Sequence, residues 1–412
     1  MLAPPDEALV RRERWLPGLA TILDPDAFVA VLRVLAPDAE LCEARPVCAR
    51  FASGERCVVL YRVRDGDRSI DVHATAYRPE RLAALAGAGA ILAEHAVAVS
   101  FFPHDRKLRA LARFDGRAAQ SRLVRRLLPQ HPALHAATAT TLSYKPERRW
   151  VAMLQGADGT CAALKLYAGR DFARASACAA ALRSSGVLRL APPIGASERH
   201  AALAFAWAPG RSLRDSLANA LSAQRDAELA GAALAALHAQ DPAALPLRSR
   251  AADGAALEAA AYAVAALVPA VGLRARRLAE RLAARLVREP RGAQPIHGDF
   301  YAKQVLVEAE HAVLLDLDQA ACGDPAADLG LFAAHLERDP QRGLLPAALA
   351  APALAALLDG YAAIAAPPTA DRLALYTAAG LLRLAPQHFR SREPDWDARI
   401  TATLAKAESI AD

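Results

Sequence analysis

The segment Ile296–Gly330 reads IHGDFYAKQVLVEAEHAVLLDLDQAACGDPAADLG. His297-Gly298-Asp299 opens it, and Gln304 lies five residues beyond the aspartate. The run VLVEAEHAVLLDLD then has the pattern of a strand-turn-strand, with Val305, Val307, Val313 and Leu315 as its apolar positions. Asp316 and Asp318 sit at its end, and Gly323-Asp324-Pro325 and Asp328 follow. A short hairpin of this kind sets Gln304, at its entry, opposite Asp316, at its exit.

Phosphoryl transfer from ATP asks for few protein groups. One carboxylate accepts or orients the proton of the acceptor hydroxyl, two oxygen ligands hold magnesium on the phosphates, and a cation supports the phosphates from a second lobe. Asp299 supplies the first group, Gln304 (through its amide oxygen) and Asp316 the second, and Lys165, mid-strand in CAALKLY, the third. An isolated aspartate is as readily a turn residue; the spacing of Asp299 to Gln304 and Asp316 is what favours catalysis. His297 reads as a residue that holds the loop by hydrogen bonds. Asp328 reads as the cap of a helix starting at Leu329 and a brace for the loop. Asp318 either joins the metal ligands or caps its own loop, and the sequence leaves both open.

These motifs resemble the aminoglycoside phosphotransferase and choline kinase-like superfamily, which shares the protein-kinase fold. The match runs through His297, Gly298, Asp299, Asp316, Leu317, Asp318, Gly323, Asp324, Pro325, Asp328 and Leu329, with Lys165, the hinge-like LAFAWAPGRSL and the helix ending near His238 upstream. It covers residues from about 136 to about 400. The resemblance implies an α+β, two-lobed fold with a small β-rich N-lobe, a large helical C-lobe and an extra N-terminal α/β region. It also implies ATP and Mg²⁺ as cofactors, Asp299 and His297 at the catalytic loop, and Gln304, Asp316 and Asp318 around the metal. Two departures stand out. Gln304 occupies a position that is Asn in the family, one methylene shorter with the same amide oxygen. The helix after Lys165, RDFARASACAAALRSSG, holds no Glu to pair with the lysine. The phosphate loop carries no GxGxxG either. SYKPERR takes its place, where Lys145, Arg148 and Arg149 offer cations, although such residues are more often a solvated turn.

Working outward, three regions emerge: 1–135, 136–210 and 211–412. The first begins with a helical stretch and continues with strand-like LCEARPVCARF, CVVLYRVRDG and RSIDVHATAY, then helix-like ERLAALAGAGAILAEHA. The second repeats the strand pattern in TATTLSYKPERR, WVAMLQGADGT and CAALKLYAG. RFASGERCVVLYRVRDGD can be laid over LSYKPERRWVAMLQGADG, and HATAY over ALKLY after a two-residue slip, which sets Thr75 against Lys165. The region 1–135 is then a degenerate copy of the second; alternatively, two β-meanders simply look alike. The third region is mainly helical, with breaks expected at Pro340, Pro346, Pro352, Pro367-Pro368 and Pro386.

Composition narrows the function. A net charge of +6 over 412 residues suits an anionic small ligand and is too weak to imply nucleic acid. Six cysteines without a CxxC pair argue against a zinc knuckle or redox motif. The N-terminus lacks an apolar core before a cleavage site, and the most apolar stretch, 343–366, is interrupted by Pro346, Pro352 and Asp359. No membrane association and a cytoplasmic location are the expectation. Arg274, Arg277, Arg281, Arg285 and Arg288 share a helix face that reads as solvated rather than substrate-binding. Residues 242–291 carry nine basic side chains against four acidic ones, a poor setting for a polycation. The expected acceptor is a small-molecule hydroxyl on a sugar, a polyol or an antibiotic such as an aminoglycoside, with a neutral or anionic polyol preferred. The competing expectation, motivated by Gln304 and the missing Glu, is a pseudokinase that binds nucleotide or a partner without turnover.

Overall fold

A computed structural model describes residues 2–82 and 90–412 of the chain. Contacts divide it into two compact units, one of residues 1–169, 197–202 and 386–398, the other of residues 170–196, 203–385 and 399–412. Among the described residues no helix is long and apolar enough to cross a membrane.

The first unit starts with three short helices, α1 (Pro4–Arg12), α2 (Leu19–Leu23) and α3 (Pro25–Leu35). Helix α3 is well specified: Asp24 caps it by accepting from the Asp26 and Ala27 N–H groups, and Pro25 fills the first turn, where no N–H is needed. An antiparallel meander follows, β1 (Leu41–Ala52), β2 (Arg56–Asp65) and β3 (Arg68–Tyr77), closed by Gly66 in the left-handed region. After α4 (Pro79–Leu82), strands β4 (Ala90–Leu92) and β5 (Val97–Phe101) complete a sheet of order β1-β2-β3-β5-β4. The helix expected over ERLAALAGAGAILAEHA is therefore corrected at its C-terminal end. Residues 83–89 lie outside the described residues, but Ala90–Leu92 pairs with β5, which gives its backbone partners that a helix would have supplied internally. Helix α5 (Arg117–Leu127) leads to a second meander, β6 (Thr138–Lys145), β7 (Arg149–Gln155) and β8 (Cys161–Tyr167).

The two meanders correspond in backbone detail. At the end of β3 the Tyr77 N–H donates to the Ala96 carbonyl at 3.0 Å, and Ala96, with φ 50°, closes the 3-10 turn Ala93–His95. At the end of β8 the Tyr167 N–H donates to the Ala201 carbonyl at 2.9 Å, and Ala201, with φ 47°, closes the 3-10 turn Glu198–His200. A left-handed alanine is unfavourable in itself, and one closes a 3-10 turn at the corresponding place after each meander. Counting back two residues from each tyrosine pairs Thr75 with Lys165. Thr75 is buried.

The second unit opens with α6 (Gly169–Ala181) and β9 (Leu188–Leu190). Strands β10 (Pro193–Ser197) and β11 (Ala202–Ala206) precede β12 (Arg211–Ser212), α7 (Leu213–Leu217) and α8 (Ala220–His238). Two long helices, α9 (Arg250–Leu267) and α10 (Gly272–Arg288), lead to β13 (Gln294–Ile296), the hairpin β14 (Val305–Val307) and β15 (Ala312–Leu314), and β16 (Ala321–Gly323). Helices α11 (Ala326–Arg338), α12 (Ala347–Ala362) and α13 (Ala370–Leu384) follow. Strands β12, β14, β15 and β9 form one small sheet, with β9 parallel to β15. Its inner face joins a core of Leu188, Leu234, Phe300, Val305, Phe332 and Leu357. Helices α8 and α12 meet at glycines: a Cβ on Gly231 would lie 1.9 Å from the Leu357 carbonyl oxygen, and one on Gly360 would lie 1.8 Å from that of Glu228.

Two further expectations are corrected here. Pro352 does not break α12 but lies inside it. Pro352 and Ala348, whose carbonyl loses its i+4 donor, are both exposed, so water can take the place of the missing bond. The arginine stripe of α10 is more than a solvated face. Arg274 pairs with Glu408, Arg281 pairs with Asp412 at 2.7 Å, and Arg285 donates to the Ala411 carbonyl at 2.8 Å, so the stripe fastens the C-terminal helix Trp396–Ala411.

Candidate active site

The segment His297–Asp299 is gripped by one buried carboxylate. Asp328, in the first turn of α11 and 1% exposed, accepts from the His297 N–H at 2.6 Å and the Gly298 N–H at 2.8 Å. His238 Nε2–H donates to the same carboxylate at 3.1 Å, and His238 Nδ1 accepts from the Tyr361 hydroxyl at 2.9 Å. Burial alone raises the Asp328 carboxyl, but His238 and the loop N–H groups outweigh it and hold the group below the usual carboxylate range. Helix α11 begins earlier than expected from Leu329, and at its start Asp324, rather than Asp328, accepts the Ala326 N–H at 3.1 Å. The Asp328 side chain is left for the loop.

His297 is fully buried. Its Nε2 lies 2.7 Å from the Leu315 carbonyl oxygen, which can only accept, so the ring carries its proton there. The Asp299 N–H then donates to Nδ1 at 3.3 Å. Both ring nitrogens are engaged in tying the Asp299 loop to the strand that delivers Asp316. Phe300 anchors the other side of the loop, stacked on Phe332 at 5.5 Å. Asp299 itself is half-buried between these anchors.

The hairpin β14–β15 brings Gln304 and Asp316 together: Gln304 Nε2 donates to Asp316 Oδ2 at 3.3 Å, and the Leu315 N–H donates to the Gln304 carbonyl at 2.8 Å. Asp316 adopts the left-handed conformation, φ 61°, a strained setting for a non-glycine residue and one that concentrates at functional sites. Asp318 lies on the following 3-10 turn, Leu317–Gln319. The donor set of carboxylates and an amide oxygen, the latter brought round by rotating the Gln304 amide, is hard-oxygen chemistry and fits magnesium. Helix α6 reaches this loop without a glutamate. Arg174 donates to the Gln319 carbonyl at 3.1 Å, and Cys178 Sγ lies 3.3 Å from the Ala320 carbonyl oxygen.

The loop has a second brace that the sequence did not reveal. Strand β13 pairs with β16, Ile296 opposite Ala321, so the chain enters the His297 loop beside Asp324. Asp324 accepts from Arg250 at 3.0 Å, Arg372 at 2.6 Å and the Tyr376 hydroxyl at 2.6 Å. Burial pushes its carboxyl up, yet these three donors together hold it below the usual range. Tyr301 reports the field of the site: burial, with Asp299 and Asp316 nearby, pushes its phenol up to about 12. Lys303 is exposed.

The remaining candidates lie in the first unit. Lys145 ends β6 and Arg149 begins β7, directly paired across the turn that holds Arg148. Lys145 and Arg148 are exposed and Arg149 half-buried. Lys165 is half-buried in mid-β8, opposite Val151.

Solved structures share this architecture. A choline/ethanolamine kinase family protein from Mesorhizobium loti is 15% identical, covers 72% of this chain and 95% of its own, and has a TM-score of 0.52. A Plasmodium vivax ethanolamine kinase, 9% identical, covers 74% and 95% with a TM-score of 0.50. A thermostable mutant of aminoglycoside phosphotransferase APH(4)-Ia, 15% identical, covers 68% and 97% with a TM-score of 0.50. At these identities the likeness speaks for the fold. No curated protein matches the chain. The sequence pattern of the phosphotransferase enzyme family matches residues 151–367, more than half of the chain and the whole of the Asp299–Asp328 constellation. The chain therefore belongs to the phosphotransferase enzyme family and is a small-molecule kinase of protein-kinase-like fold.

Proposed function

We propose that the protein transfers the γ-phosphoryl group of ATP to a hydroxyl of a neutral or anionic small molecule, a sugar or other polyol, with Mg²⁺. Asp299 orients the acceptor hydroxyl and takes its proton, while His297 positions the loop. Gln304, Asp316 and Asp318 would hold the magnesium, which when bound neutralises charge on the phosphates. Lys165, Lys145 and Arg149 support the phosphates. The observation that carries this reading is the pairing of the Asp328-gripped Asp299 loop with a Gln304–Asp316 contact of 3.3 Å on the adjoining hairpin.

Arg248, Asp253, Leu331, Tyr376, Gly380 and Arg383 line a cavity of about 20 Å³, room for about one water molecule and too small for an acceptor. Asp253 answers Arg248 at 2.6 Å. Arg383 has no carboxylate at ion-pair distance among the described residues; burial and Arg248 push its guanidinium down, while Asp299 pulls it up. A cation in the field of Asp299 disfavours a polycationic acceptor. The test is an ADP-release screen of sugars, polyols, acidic sugars and aminoglycosides, with Asp299→Ala as the blank. Turnover confined to aminoglycosides would overturn the acceptor assignment.

A further inference from the structure

The β6–β7 turn, Lys145-Pro146-Glu147-Arg148, stands where kinases of this fold carry a glycine-rich loop. The Arg148 N–H donates to the Lys145 carbonyl at 3.0 Å, Pro146 fills the second position, and Glu147 fills the third with φ 59°. A turn of this pattern favours glycine or asparagine at the third position, because a Cβ there costs about 1–2 kcal/mol. Glutamate occupies it nonetheless, and its side chain is 3% exposed.

That side chain is surrounded by cations from residues 1–135. Arg56 of β2 lies 2.7 Å from Glu147 Oε2, Lys107 lies 3.3 Å from the same oxygen, and Arg106 lies 3.1 Å from Oε1. The backbone is held as firmly. The Glu147 N–H donates to Asp105 Oδ2 at 2.7 Å, and Arg50 of β1 donates to the Pro146 carbonyl at 2.5 Å. Asp105 also accepts from the Tyr144 hydroxyl at 2.9 Å and from the Lys107 and Leu108 N–H groups. The Tyr144 hydroxyl lies 3.1 Å from His73 Nδ1 on β3. Burial alone would raise the Glu147 carboxyl, but Arg56, Lys107 and Arg106 bring it down to about 2, so it stays ionised at neutral pH. Five polar contacts to two successive residues exceed what a solvated hairpin turn needs. They fix the backbone from which Lys145, Arg148 and Arg149 project.

We propose that Glu147 is a positioning residue for the nucleotide phosphates, and that the N-terminal copy acts as a clamp which presents Lys145 and Arg149 on a rigid turn instead of a mobile glycine loop. The proposal rests on the reading of Lys145 and Arg149 as phosphate contacts. Pre-ordering the turn removes the cost of immobilising it when ATP binds. It also gives residues 1–135 a task in a chain whose first copy has Thr75 where the second has Lys165.

The test is calorimetric ATP binding to the full chain as wild type, Glu147→Gln, Glu147→Gly, Arg106→Gln and Lys145→Ala/Arg149→Ala. Glu147→Gly is the informative variant, because it relieves the backbone strain while removing the anchor. Arg106→Gln leaves Arg56 and Lys107 in place and keeps the comparison available should the Glu147 variants fold poorly. The expected result is ATP affinity weakened about tenfold or more in both Glu147 variants and about threefold in Arg106→Gln. Hydrogen exchange at the Glu147 and Arg148 amides should accelerate while the β7–β8 ladder stays protected. Weakened binding in Lys145→Ala/Arg149→Ala alone, with wild-type affinity in folded Glu147→Gly and Arg106→Gln, overturns the clamp. Wild-type affinity in all four variants overturns the phosphate-contact reading and the clamp with it.

Discussion

Replacing Gly298 by alanine should disable the enzyme through geometry alone. Gly298 has φ 80°, and a Cβ there would lie 2.3 Å from the Gln319 carbonyl oxygen, 3.0 Å from its carbonyl carbon and 3.2 Å from Gln319 Cβ. The left-handed backbone alone costs about 1–2 kcal/mol for a residue with a Cβ. The contact must also open by about 0.7 Å merely to reach 3.0 Å, a distance below which real Cβ contacts are essentially never found. The Gly298 side cannot yield easily, because Asp328 holds the His297 and Gly298 N–H groups at 2.6 and 2.8 Å. Gln319 must therefore move, and it belongs to the 3-10 turn that carries Asp318 and follows Asp316. A misplacement of about 1 Å in such a constellation costs roughly a hundredfold in rate. Steady-state ADP release at saturating ATP should show kcat reduced about 30- to 100-fold. Thermal unfolding should show a fall of several degrees, given about 2–4 °C per kcal/mol for a unit of this size. A folded Gly298→Ala variant with kcat within threefold of wild type would refute the argument that the two loops are interlocked here.

Asp299→Asn is expected to lower kcat by about two or more orders of magnitude while calorimetry still detects ATP binding, since the substitution removes the proposed proton acceptor and keeps the shape. ATP should raise the melting temperature more with Mg²⁺ than without it, and Asp316→Ala should abolish that difference; equal shifts in all four samples would remove Asp316 from the metal site. Stability against urea should be fully present above about pH 4 and fall as the pH drops through the depressed folded values of Asp324 and Asp328, because a carboxyl held below its unfolded value of about 3.9 contributes only while ionised. Asp324→Asn should flatten that acid-side slope, and an unchanged slope would show that Arg250, Arg372 and Tyr376 do not depress it.

What the sequence made legible was local. The hairpin from Val305 to Leu314 and the delivery of Gln304 beside Asp316 follow from alternation and a turn within a dozen residues, so their juxtaposition could be read directly. The alignment of Thr75 with Lys165 came from strand pattern after a two-residue slip, and each of the two lies two positions before a tyrosine whose N–H meets the carbonyl of a left-handed alanine. Asp328 was half legible. It was expected to brace the loop and does so through the His297 and Gly298 N–H groups, whereas its assignment as a helix cap failed because α11 starts three residues earlier, with Asp324 at its head. Pro352 misled because a proline breaks a helix only where the lost bond cannot be replaced, and exposure is not written in the residue type.

The features that escaped are convergent ones. Arg250, Arg372 and Tyr376 reach Asp324 from 74, 48 and 52 positions away, and no periodicity connects them. Glu147 is the sharpest case. In SYKPERR it sits between charged neighbours and reads as one more solvated turn residue, yet Arg56 and Arg106 meet it from 91 and 41 positions away and enclose it. A glutamate at a left-handed turn position is costly alone and holds its place only if the surrounding structure over-determines it. The two observations, strain at φ 59° and a carboxylate enclosed by three cations, therefore explain each other. The cations hold the strained turn, and the strained turn is what puts the carboxylate among the cations. A device of that kind needs both halves of the first unit, which is why residues 1–135 cannot be treated as an appendage to the phosphotransferase fold.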